Sequence, residues 1–197
     1  MRIIGGEHGG RKLLPPHSDA TRPITDRAKQ SLFDILTPSI GPGTLVYDCF
    51  AGTGSLGLES LSRGAKFCTF FEADRSAVAR LSQNIAALRA ESRSRIVPGD
   101  LFKWFHLSTT RPASTEASGA DIVFLDPPYR FLKQHADELL QLALHLAHGH
   151  LRPESIIVFR HDEKDQLELP KLSRYDVRDY GDMQIELLRP VRTVLEH

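Results

Sequence analysis

The chain has 197 residues, 41% of them hydrophobic, and its 25 Lys and Arg are matched by 25 Asp and Glu. That length and apolar content suit one main domain with a substantial core. Zero formal net charge excludes a globally basic nucleic-acid binder, so any nucleic-acid contact must come from a local basic face.

Residues 1–24 differ from the rest. They carry Gly5, Gly6, Gly9 and Gly10, then Pro15, Pro16 and Pro23, with Arg2, Arg11, Lys12 and Arg22 set against Glu7 and Asp19. Ile3-Ile4 and Leu13-Leu14 flank the glycines. The pattern predicts a β-hairpin arm followed by an extended Pro-rich link. Residues 25–197 form the main domain. Thr25 has the chemistry of a helix N-cap, and Asp26 suits the first turn. Ala28, Leu32, Phe33, Ile35 and Leu36 give that helix an apolar stripe.

From residue 45 strands and helices alternate. Short strand-like runs begin at Leu45, Phe67, Arg95, Ile122 and Ile156. Helical spacing fills 54–63, 76–90 and a stretch near 133–147. This alternation predicts a mostly parallel sheet with right-handed crossovers. The end breaks the rhythm: Tyr175–Tyr180 and Met183–Leu188 are strand-like, and Gly181-Asp182 between them suits a hairpin turn. An α/β sheet ending in a hairpin is the Rossmann-like layout of class I methyltransferases, with seven strands. Residues 108–119 are of low complexity and read as a flexible surface loop.

Asp48-Cys49-Phe50-Ala51-Gly52-Thr53-Gly54-Ser55-Leu56-Gly57 ends the first strand and opens a helix. Gly52 and Gly54 allow a sharp turn and close approach of a ligand. Gly52, Gly54 and Gly57 also satisfy G-x-G-x-x-G, so a nicotinamide dinucleotide site stays open. Asp48 favours a cofactor with a cationic end, although it could equally cap the loop. Glu72, ending the second strand, could accept ribose hydroxyls in either kind of site. Asp100 could accept from an adenine amino group or act as a helix N-cap.

Asp126-Pro127-Pro128-Tyr129 follows the apolar strand Ile122–Leu125, at a strand end where ligands bind in such sheets. The prolines stiffen the turn and leave carbonyls free as acceptors. Asp126 and the Pro127 carbonyl can take the two hydrogens of an exocyclic amino group, and Tyr129 can stack on the base. Such a constellation points to methylation of a nucleobase amino nitrogen.

Arg2-Ile3-Ile4-Gly5-Gly6, Gly10-Arg11-Lys12-Leu13, Arg22-Pro23-Ile24-Thr25-Asp26-Arg27, the Gly loop and Asp126–Tyr129 together resemble the RsmD-type guanine-N2 methyltransferases of bacterial 16S ribosomal RNA. The resemblance spans roughly residues 2–190. It implies S-adenosylmethionine as cofactor and ribosomal RNA in a small-subunit particle as substrate. By position it implies cofactor contacts at Asp48, Phe50, Gly52, Gly54, Ser55, Glu72, Asp100 and Leu101. Asp126, Pro127 and Tyr129 would hold guanine. Arg11, Lys12, Arg22, Thr25, Arg27 and Pro128 would lie on the substrate side. A departure falls at Phe159-Arg160-His161, where relatives often carry Glu. The base motif does not separate guanine-N2 from adenine-N6 methylation, since both bases present an amino group; a noncatalytic RNA-binding module is a further reading.

Cys49 and Cys68 suggest no disulfide framework, and neither they nor the nine histidines have metal-ligand spacing. A monomer in a reduced, cytosolic setting is expected. The N-terminal residues lack a signal-peptide core, and the apolar runs are too short to span a membrane. Trp104, beside Phe102 and Phe105, is a core residue or part of an adenine-side wall.

Overall fold

The computed structural model describes residues 1–16, 24–109 and 119–191. Arg22 and most of the low-complexity loop lie outside them. The strands are β1 Leu45–Cys49, β2 Phe67–Glu72, β3 Ser94–Pro98, β4 Ala120–Leu125, β5 Leu151–Asp162, β6 Leu172–Tyr180 and β7 Met183–Pro190. They form one sheet in the order β3-β2-β1-β4-β5-β7-β6. The first five are parallel, and β7 runs antiparallel between β5 and β6. The expected Rossmann-like class I layout is therefore present. Gly181 turns the terminal hairpin at φ +70°, a value that only glycine adopts without cost.

The helices are α1 Asp26–Leu36, α2 Ser55–Ser62, α3 Arg75–Ala87, α4 Leu101–Thr109, α5 Arg130–Gln134 and α6 Ala136–Gly149. Side-chain oxygens start α1 and α3: Thr25 accepts from Ala28 N–H, and Asp74 from Ala77 N–H. The helix expected near 133–147 is two helices, broken at His135 (φ −136°, ψ 35°). Neither glycine nor proline marks that break, so spacing alone could not show it. Residues 108 and 109, expected in the loop, extend α4 instead.

Strand alternation sends Ile122, Phe124, Ile156 and Val158 to one face of the sheet, where they pack with α1, α2 and α3. Val123, Leu125, Ile157 and Phe159 go to the other, with α4 and α6. No described helix is long and apolar enough to cross a membrane.

The N-terminal arm is a minimal hairpin. One antiparallel bridge joins Arg2 to Lys12, and Gly6–His8 makes a 3-10 turn between them. Ile3 and Leu13 are buried in the core with α1 and α2. Glu59 of α2, itself fully buried, accepts from Ile4 N–H at 2.7 Å and Gly5 N–H at 2.9 Å. Gly6 lies so close to α2 that a Cβ there would come within 1.9 Å of the Ser62 carbonyl oxygen. The Gly5-Gly6 pair thus serves docking of the arm.

Candidate active site

A cavity of about 750 Å³ opens at the carboxyl ends of β1, β2, β4 and β5. Strand order reverses between β1 and β4, which splays the connections there and leaves a crevice. The volume is that of a small-molecule site. Asp48, Phe50, Gly52, Ser55, Glu72, Asp100, Leu101 and Asp126–Tyr129 line it. Residues far apart in sequence are thus gathered around one space.

The loop after β1 has left-handed backbone at Phe50 (φ 64°), Gly52 (φ 55°) and Gly54 (φ 83°). For Phe50 this is strained backbone of the kind that concentrates at functional sites. Gly52 faces open space, whereas a Cβ on Gly54 would meet Leu81 Cδ1 at 2.4 Å. Gly54 is therefore required by packing, and it does not line the cavity.

Hydrogen bonds of this loop decide what it can hold. Gly52 N–H donates to Glu72 Oε2 at 2.7 Å, Gly57 N–H to Asp48 Oδ2 at 2.9 Å, and Gly54 N–H to the Ala51 carbonyl at 2.7 Å. A pyrophosphate needs such amides free. Here carboxylates occupy two of them, and the rim is acidic. Burial pushes the Asp48 carboxyl well above its usual range; the Gly57 amide opposes this, and the charges of Asp126 and Glu72 add to it. A ligand with a positive centre relieves that repulsion, while a dinucleotide phosphate worsens it. Asp48 thus both caps α2 and faces the cavity.

On the β2 and β3 side, Glu72 Oε1 also accepts from Asp74 N–H at 2.8 Å. Each oxygen keeps lone pairs for hydroxyl donors. Asp100 Oδ1 accepts from Phe102 N–H at 2.9 Å and Lys103 N–H at 3.3 Å. It is the N-cap of α4, and it also lines the cavity. Phe102, Phe50 and Phe131 gather there, with Phe50 edge-on to the other two. Trp104 packs instead on Phe71 and Phe105, with ring centroids 4.9 and 4.8 Å away.

Across the cavity, Asp126-Pro127-Pro128-Tyr129 leaves β4. The Pro128 carbonyl accepts from Phe131 N–H at 2.7 Å. Among the described residues no donor takes the Pro127 carbonyl, so it stays an acceptor. Arg160 Nε donates to Asp126 Oδ1 at 2.5 Å. Burial holds the Asp126 carboxyl above its ordinary range, and the Arg160 charge and hydrogen bond offset that shift only in part.

The other sequence-predicted residues lie elsewhere. Arg11, Lys12 and Arg27 are exposed and do not line the cavity. Thr25 is spent on capping α1, and Arg22 lies outside the described residues. Motif reading missed Arg160, Phe102, Phe131 and His135, all of which line the cavity. Only strand register reveals Arg160: Leu125 is opposite Phe159, which sets Arg160 beside Asp126.

The sequence model of a family described as conserved hypothetical protein 95 matches residues 1–189. The ribosomal RNA small subunit methyltransferase D of Escherichia coli K12 is 41% identical over 130 residues, or 66% of this chain and 61% of that protein. The match thus spans about three fifths of that relative's length. The protein of the same name from Haemophilus influenzae is 36% identical over 84% of this chain and 80% of its own. A solved structure of Escherichia coli yhhF superposes with a TM-score of 0.79 at 32% identity, covering 96% of this chain and 97% of that one.

Proposed function

The chain belongs to the conserved hypothetical protein 95 family, the RsmD-type methyltransferases, and from that premise we propose that it methylates the exocyclic N2 of a guanine in 16S ribosomal RNA, using S-adenosylmethionine. The observation that carries the reading is the placement of Asp126–Tyr129 across one cavity from an acidic, amide-saturated Gly loop. The positive sulfonium and amino groups and the vicinal hydroxyls of S-adenosylmethionine fit that donor set.

When bound, the cofactor supplies an electrophilic methyl group. Glu72 accepts the ribose hydroxyls through the lone pairs that Gly52 and Asp74 leave. Asp48 faces the cationic end. Asp100 offers its second oxygen to the adenine amino group, and Leu101 and Phe102 wall the ring. Phe50, Gly52 and Ser55 line the approach, and Gly54 shapes it.

Asp126 and the Pro127 carbonyl accept the two amino hydrogens of the base. An aromatic amine is a poor nucleophile because its lone pair is delocalised into the ring. Two acceptors on its hydrogens localise that pair, so rate comes from positioning and electrostatics. Tyr129 provides a stacking face, worth about 1–3 kcal/mol per base, with Pro128 behind it. A paired base must first leave its stack. Arg11, Lys12, Arg22, Thr25 and Arg27 form the substrate side, with phosphate contacts that position the RNA. The enzyme acts as a monomer in the cytoplasm, on the small-subunit particle.

Labelled S-adenosylmethionine offered with undermethylated small subunits, free ribosomal RNA or DNA tests this. Nuclease digestion should release N2-methylguanine from the particle. N6-methyladenine in its place would reassign the base, and label in DNA alone would overturn the RNA reading.

A further inference from the structure

Asp126, just past the end of β4, and Arg160, within β5, stand at the same level on adjacent parallel strands, because Leu125 is in register with Phe159. The Arg160 side chain is 7% exposed and that of Asp126 16%. Among the described residues, only Arg160 donates to the Asp126 carboxylate. The guanidinium is braced from β7, where Nη1 lies 3.4 Å from Met183 Sδ. An arginine keeps its charge at any working pH, and its planar fork holds a carboxylate in a fixed orientation.

We propose that Arg160 is a positioning residue of the methyl-transfer site, holding Asp126 by Oδ1 and in its ionised form so that Oδ2 is presented to the substrate's amino group. The proposal rests on the base-holding reading of Asp126. Its physical basis is the sign of the charge. A protonated carboxyl would offer an O–H to the amino group's N–H, donor against donor. Burial alone drives Asp126 toward that state, and Arg160 opposes it. Of the other ionisable groups that line the cavity, Asp48 from β1 acts on the Asp126 charge, while Glu72 ends β2 and Tyr129 and Arg130 lie in Asp126's own connection. Asp48 repels a second negative charge, Met183 is neutral, and Arg130 makes no bond to Asp126, which leaves the Arg160 ion pair as the interaction that opposes its protonation. The proton lost from the methylated nitrogen passes to the Asp126 carboxylate or to water.

The direct test follows Asp126 itself. Carboxyl-13C aspartate is titrated by NMR in the cofactor-free protein, with Asp126→Asn assigning the signal. In Arg160→Met the Asp126 midpoint should rise by about one to three pH units, and Arg160→Lys should restore most of the shift. Activity should follow. Arg160→Met should lose at least tenfold in kcat one pH unit below its own Asp126 midpoint and regain it above that midpoint, with the KM for cofactor within twofold. An unchanged midpoint, or a loss equal at every pH, overturns the proposal. If Arg160→Met does not fold, Arg160→Gln, which keeps a donor without the charge, is compared with Arg160→Lys in the same way. Failure of the wild type to methylate any amino-bearing base would instead sink the functional reading, a result distinct from an unmoved Asp126 titration.

Discussion

Glu59 and Lys29 form an ion pair buried under the N-terminal arm, 3.5 Å apart with side chains 0% and 1% exposed. Lys29 Nζ also donates to the Arg2 carbonyl at 2.6 Å and to Ser55 Oγ at 3.1 Å. Arg63 Nε meets Glu59 Oε1 at 2.8 Å. Burial lowers the Lys29 ammonium pKa, and Glu59 holds it back. The pair joins the arm to α2, at the edge of the cofactor loop.

Glu59→Ala removes the carboxylate and strands a buried ammonium and two backbone amides. Breaking a buried ion pair from one side costs about 3–5 kcal/mol. Urea unfolding should show a loss of that order, and hydrogen exchange at Ile4 and Gly5 should rise most. A loss under about 1 kcal/mol, typical of an exposed pair, would contradict the anchoring role.

Asp126→Ala and Glu72→Ala should separate chemistry from cofactor binding. The first should nearly abolish methyl transfer while calorimetry finds cofactor affinity within a few fold. The second removes at least one hydrogen bond to a charged group, worth about 1.5–3 kcal/mol, and should weaken cofactor binding at least about tenfold. Unchanged affinity in Glu72→Ala would remove its ribose role.

Reversal of Arg11 and Lys12 to Glu should weaken binding of the RNA particle at least tenfold and leave cofactor affinity alone. Each lost phosphate contact lowers the slope of log affinity against log salt by about 0.7–0.9. An unaltered slope would show that these two exposed side chains touch no phosphate.

His161 and Glu186 should give a pH signature. Glu186 accepts from Arg174 at 2.9 Å and lies 3.5 Å from His161 Nε2. Burial lowers the His161 pKa, but Glu186, the Asp162 carbonyl and Asp165 outweigh it, and the ring ends above its ordinary 6.5. Its contribution is complete below that value and fades as pH rises through the folded one. Burial raises the Glu186 carboxyl, but His161 and Arg174 outweigh it, and it ends below its ordinary 4.5. That contribution is complete above its ordinary value and fades as pH falls through the folded one. The pair therefore stabilises most between those two ordinary values. His161→Gln should flatten the fall of Tm from about pH 6 to pH 8; an identical fall in both proteins would leave the pair without a role.

Much of the fold is legible along the chain. The central strands β1, β2, β4 and β5 follow from apolar runs, because a parallel strand buried on both faces must be continuously apolar, and the terminal hairpin follows from the turn at Gly181. The cofactor loop and Asp126–Tyr129 are legible too, since each is a short contiguous stretch at a strand end. The break at His135 is not, because no glycine or proline marks it and the apolar spacing runs through it unchanged. The Gly5-Gly6 pair is legible as a motif but not as a docking device, because its partner Glu59 lies more than fifty residues on.

The layered α/β architecture, the Gly loop and the Asp126–Tyr129 turn can be read along the chain, for their information is local or periodic. Which amides Asp48 and Glu72 occupy comes from folding alone. It alone set Arg160 beside Asp126 and Glu59 beneath the arm. Those relations depend on strand register and helix docking, which bring together side chains that no spacing along the chain connects.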